Sequence, residues 1–69
     1  MSDPFNLSTR ELECLILADE GKSDTAIGTE LGLSPNTVGE YMERVKVKFH
    51  AGSRVEAIVL AIKIGLIKL

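Results

Sequence analysis

The stretch Leu31–Gly32–Leu33–Ser34–Pro35–Asn36–Thr37–Val38 constrains the fold more tightly than any other part of the chain. Gly32 and Leu33 punctuate the end of one helical pattern. Ser34 is a strong N-cap, because its hydroxyl can accept from the free N–H groups of a first helical turn. Pro35 follows at the position where a fixed φ and a missing N–H suit a helix start. A short turn containing glycine, set between two helices, is the helix-turn-helix arrangement.

The rest of the chain supplies helices on either side of that pair. Ser8-x-x-Glu11 reads as a capping box, in which serine and glutamate satisfy each other's backbone donors, and Gly21 closes that helix. Ser23 and Asp24 put an oxygen cap and a negative charge at the positive end of the next, where Ala26, Ile27 and Leu31 recur at helical spacing. Val38, Met42 or Tyr41, Val45 and Phe49 form a stripe along a third helix that His50, Ala51 and Gly52 end. Ser53-x-x-Glu56 is a second capping box, and Gly65 follows the fourth helix. The expected fold is all-α, with helices at residues 8–20, 24–31, 35–49 and 54–64, in one domain over residues 7–67. Residues 1–6, polar and holding Pro4, read as a flexible arm or a boundary. No β alternation or hairpin signal competes.

Length and composition exclude several classes of function. At 69 residues the chain holds one small core, which at this size rarely supplies more than roughly 3–5 kcal/mol. Cys14 is the only cysteine, so no intramolecular disulfide can form, zinc-ligand spacing is absent, and a reducing, cytoplasmic setting is expected. Cys14 falls at a core position beside no activating group, so it reads as a buried structural residue. His50, the only histidine, stands at a helix end. Catalytic residues, metal and cofactor are therefore all expected to be none. No run approaches a membrane span. An apolar content of 45% with only 4% aromatics suits a helical core of Leu, Ile, Val and Ala.

The second helix of a helix-turn-helix is the element that enters the DNA major groove. Here that helix carries Asn36, Gly39, Glu40 and Glu43 on one face by i+3/i+4 spacing. A net charge of −2 argues mildly against strong nonspecific binding, because neutralising phosphates takes clustered Lys and Arg. Two readings stay open. In the first, Glu40 or Glu43 accepts from cytosine N4 while Asn36 and Thr37 bond bases or phosphate. In the second, the acidic face binds DNA weakly and the domain works through protein contacts, as an interaction or antagonist module. Ser34 reads first as a cap, and the Thr37 hydroxyl can serve either the helix or a phosphate. Arg44, Lys46 and Lys48 follow on the same helix, with Lys22, Arg10 and Arg54 elsewhere. Lys46 and Lys48 also suit the negative end of a helix dipole whatever the function. Arg10 and Glu13 read as partners of neighbouring helices.

The order Leu7, Arg10, Glu11, Glu13, Glu20–Gly21–Lys22–Ser23, Ile27, Leu31–Gly32–Leu33–Ser34, Thr37–Val38, Lys48, Ser53–Arg54, Glu56–Ala57 and Ala61 resembles the LuxR-type (GerE-type) helix-turn-helix. The likeness runs from about Leu7 to Ile67. It implies a bacterial transcription regulator, usually with this domain C-terminal to a receiver or autoinducer-binding domain, so the chain is expected to be part of a longer protein. It implies double-stranded DNA as partner, the third helix in the major groove, and a homodimer through the fourth. Lys48 and Arg54 fall on matching positions and are the implied phosphate contacts. Gly39, Glu40 and Glu43 depart from the pattern, since the family often holds cations there.

Surplus apolar residues point to partners. Leu12 and Ile16 are expected on the outer side of the first helix, facing an absent N-terminal domain or another regulator. The fourth helix is apolar on two faces. One face, with Val55, Val59 and Ile62 or Ile64, is expected to pair with a second copy.

Overall fold

Four serines start four helices. The side chains of Ser8, Ser23, Ser34 and Ser53 each accept from the backbone N–H three residues on, all at 3.1 Å. These bonds satisfy donors that the first turn of a helix cannot satisfy itself. The computed structural model describes residues 5–68 and places there α1 (Thr9–Asp19), α2 (Asp24–Leu31), α3 (Pro35–Phe49) and α4 (Arg54–Lys63). The described residues contain no strand. Ser8, Glu20 and Ile64, expected inside helices, are caps instead. Residues 1–4 of the expected arm lie outside the described residues.

Only one of the two expected capping boxes closes. Ser8 has φ −72°, and its N–H donates to Glu11 Oε1 at 2.7 Å. Ser53 is more extended, at φ −153°, and there the Glu56 carboxylate accepts from the Gly52 N–H at 2.6 Å instead. The reciprocal bond is thus made one residue early.

The stripe on α3 is the centre of the core. Val38, Met42, Val45 and Phe49 are buried against Cys14 and Leu15 of α1, Ile27 of α2, Ala57 and Ala61 of α4, and Ile67 beyond α4. The stripe resolves to Met42, with Tyr41 half-buried at its edge. Burying a side chain of this kind stabilises by about 1.5–3 kcal/mol. That burial fixes which side of α3 faces outward.

The turn between α2 and α3 depends on two glycines. Gly32 caps α2 in the left-handed region at φ +73°, which costs a glycine nothing. Gly28 is packed instead: a methyl group there would lie 2.3 Å from the Leu33 carbonyl oxygen. The Leu33 N–H donates to the Gly28 carbonyl at 2.8 Å, closing the turn onto α2.

Several placements differ from expectation. Ile16 packs against the core and Leu12 is half-buried, because α3 and α4 both pack on α1 and cover more of it than one face. Ile62 also packs partly on the core, which leaves Val55, Val59 and Ile64 as the exposed apolar residues of α4. Arg10 and Glu13 pair with each other along α1 at 3.3 Å, rather than across helices. Phe5 stacks on Phe49 with ring centroids 4.3 Å apart, so that part of the lead packs on the domain.

Candidate nucleic-acid interface

With Val38, Met42, Val45 and Phe49 turned inward, helical geometry turns Asn36, Glu40, Glu43, Arg44 and Val47 outward. All five are exposed, Val47 most conspicuously at 73%, while Gly39 is half-buried on the flank toward α2. The outer face therefore offers an amide, two carboxylates, a guanidinium and an apolar tip. Glu40 has no ion-pair partner among the described residues. Glu43 accepts from Lys46 Nζ at 2.7 Å, and that bond lowers its pKa. Arg44 is exposed and lies over the Tyr41 ring at 5.3 Å, a cation–π contact. At the start of α3 the Ser34 and Thr37 hydroxyls bond each other at 2.9 Å, with the Ser34 oxygen also capping the helix.

The cations that the sequence offers to phosphates are mostly neutralised within the molecule. Lys48 Nζ donates to Glu11 Oε1 at 2.7 Å and to the Asn6 carbonyl at 2.9 Å, so its partner is a carboxylate of α1 rather than its own helix dipole. Glu11 is only 3% exposed. Burial alone would raise its carboxyl pKa, but the Lys48 ammonium and the Ser8 N–H outweigh this and hold it below the usual value. Arg54 forms a two-pronged pair with Asp24, at 2.5 and 2.8 Å, tying α4 to the start of α2. The Arg54 bond lowers the Asp24 pKa against a smaller opposing effect of burial. Lys22 bridges Glu20 and Glu30. Among the described residues of α3, Arg44 is left as the cation without a carboxylate partner.

The other expected residues are placed as follows. Val55 and Val59 are exposed on α4 and Ile62 is half-buried. Cys14 is fully buried, and burial pushes its thiol pKa up, which suits packing and not nucleophilic chemistry. His50 caps α3 in the left-handed region, exposed. Among the described residues no three His, Cys, Asp or Glu side chains gather as a metal site, and no helix is long and apolar enough to cross a membrane.

Two long-range ion pairs and one exposed apolar residue went unread in the sequence. Glu11–Lys48 and Asp24–Arg54 join residues 37 and 30 positions apart, a separation that carries no local signal. Val47 lies one turn beyond Glu43 on the outward face, and that i+4 spacing could have revealed it.

Residues 5–61 match the model of the GerE family, described as bacterial regulatory proteins of the luxR family. The chain is 43% identical over 61 residues to the transcriptional activator protein SolR of Ralstonia solanacearum, covering 88% of this chain and 26% of SolR. It is 39% identical over 64 residues to the response regulator UvrY of Escherichia coli, covering 91% and 29%. It is 34% identical over 61 residues to the quorum sensing-dependent transcriptional regulator VjbR of Brucella abortus, covering 88% and 24%. The chain thus spans about a quarter of the length of these curated relatives. Its four capped helices, its glycine turn and this match together show that the chain belongs to the luxR family of bacterial regulatory proteins.

Proposed function

We propose that residues 7–67 are the sequence-specific DNA-binding domain of a bacterial LuxR-type transcription regulator, with α3 seated in the major groove. The observation that carries this is the outward face of α3, where Asn36, Glu40, Glu43 and Arg44 stand exposed on a helix anchored by four buried residues. Asn36 has the bidentate amide that suits adenine, and Glu40 and Glu43 have the acceptors that suit cytosine N4. Arg44 supplies a phosphate contact, as do the hydroxyls of Ser34 and Thr37. Lys48 and Arg54 contribute only so far as their carboxylates release them or leave outer donors free.

In this account the domain dimerises through α4, by an isologous contact of Val55 and Val59, with Ile64 more exposed than Ile62 at its edge. Sedimentation of Val59→Glu tests this. It should lose self-association and keep its helix content, since Val59 lies off the core. Regulators named for response regulation and quorum sensing support an N-terminal domain that receives the signal.

A second reading is favoured by the pairing of Lys22, Lys46, Lys48 and Arg54 with carboxylates. A domain so neutralised would bind DNA weakly and act through protein contacts with related regulators. Selection of duplexes from a random pool, at low and moderate salt, separates the two. Enrichment of a sequence with two-fold symmetry supports the groove-reading domain, and no enrichment at either salt contradicts it.

A further inference from the structure

A glycine inside a helix weakens it relative to alanine, through the freedom the unfolded chain must give up. Gly28 has an internal reason for bearing that cost, since the Leu33 carbonyl occupies the space of any side chain. Gly39 has none. A methyl group there would meet, outside its own helix backbone, only Asp24 Oδ2 at 3.8 Å, an ordinary contact. Its backbone is not among those with positive φ, so alanine would suffer no strain. Nothing inside the described fold therefore requires a bare position at residue 39.

We infer that Gly39 is the clearance point that lets α3 sink to the floor of the major groove, an inference that rests on the DNA-binding reading above. A helix with its side chains is about 10–12 Å across, and the groove is about 12 Å wide. The side chains on the flanks of the helix therefore decide how deeply it seats. Gly39 lies on the flank of α3, one to four residues from Asn36, Glu40 and Glu43 in the chain. Depth has an electrostatic consequence for this particular face. At the rim of the groove Glu40 and Glu43 meet phosphates and are repelled. At its floor they meet the N4 amino groups of cytosine, which donate to them. An acidic reading face works only when seated deep, and Gly39 provides the narrow flank that such seating needs.

Gly39→Ala and Gly39→Leu in the 69-residue chain test this. Gly39→Ala should raise the melting temperature, by roughly 4–8 °C if the full glycine penalty is recovered. On a duplex selected by the parent, it should bind about tenfold more weakly, the loss of roughly one base contact, with affinity for random duplex unchanged. Gly39→Leu should lose more. Unchanged or tighter binding of the selected duplex by both variants overturns the inference and leaves the DNA-binding reading standing. A lower melting temperature for Gly39→Ala overturns it too, because Gly39 would then have a role inside the fold. If the parent selects no duplex, the DNA-binding reading fails and this inference fails with it.

Discussion

Two ion pairs tie distant helices together with the same chemistry and different surroundings. Lys48 reaches from α3 to Glu11 on α1, and Arg54 reaches from α4 to Asp24 on α2. Glu11 is buried, its carboxylate shared between Lys48 and the Ser8 N–H. Asp24 and Arg54 have side chains 29% and 40% exposed. A buried carboxylate that loses its cation has no water to turn to, whereas an exposed one does. The first pair is thus a structural necessity, and the second is an adjustable contact. Both engage a cation that the family likeness offers as a phosphate contact.

The largest expected effect follows from breaking the buried pair. Lys48→Met should destabilise the domain by about 2–3 kcal/mol, the cost of leaving the Glu11 carboxylate buried with too few donors. Urea titration followed by circular dichroism measures it, and a loss equal to that of Asp24→Asn would erase the distinction between the pairs. Acid should act on the same pair. The Glu11 pKa is lowered in the fold, so the stabilisation is complete above the ordinary carboxylate range and lost as pH falls through the folded value. Melting temperatures between pH 6 and pH 3 should fall, and fall less in Glu11→Gln, which starts lower.

Glu40 extends the comparison to a carboxylate with no cation partner among the described residues. Glu40→Gln should relax base preference at one position of the selected duplex by about 1–3 kcal/mol. A panel of single-base variants reads this directly. An unchanged preference, or tighter binding to all duplexes alike, would instead mark Glu40 as repelling phosphates.

The smallest stability effect belongs to the half-exposed pair. Asp24→Asn should cost about 1 kcal/mol, less than Lys48→Met, since water still reaches both side chains. It should free Arg54, raise affinity for duplex, and add about 0.9 to the magnitude of the salt slope, one phosphate's worth. Weaker binding at an unchanged slope would make Asp24 a support for Arg54 and not its competitor.

The local grammar of this fold was legible in the sequence, and its long-range electrostatics were not. Ser8, Ser23, Ser34 and Ser53 all cap where capping chemistry puts them, and α2 and α3 have the expected bounds. The buried stripe of Val38, Val45 and Phe49 follows from helical period, which leaves Met42 and Tyr41 open until packing chooses Met42. Glu11 was legible as the partner of Ser8, but its second bond, to Lys48, depends on how α1 and α3 cross. Which of Ile62 and Ile64 stands more outward is left open by the sequence for a similar reason. Helical period shows that α4 has two apolar faces, and only packing decides which residues the core claims. Of the face read on α3, Asn36, Glu40 and Glu43 are exposed, whereas Gly39 is half-buried toward α2 and Arg44 stands outward beside them, because the core stripe fixes the helix's rotation. Lys48 and Arg54 were offered to phosphates by the family likeness, and nothing local announces their carboxylates 37 and 30 residues away.

The central claim is that this domain reads duplex DNA with a face whose cations are largely spent inside the molecule. Measuring affinity for the selected duplex across a series of salt concentrations tests it most directly. Each neutralised phosphate adds about −0.9 to the slope of log affinity against log salt. Arg44 as the unpaired cation of α3 should give a slope of about −1 per domain, or about −2 for two copies on one duplex. A slope of about −3.6 or steeper per domain would require Lys46, Lys48 and Arg54 all to leave their carboxylates for the DNA, and would contradict the account.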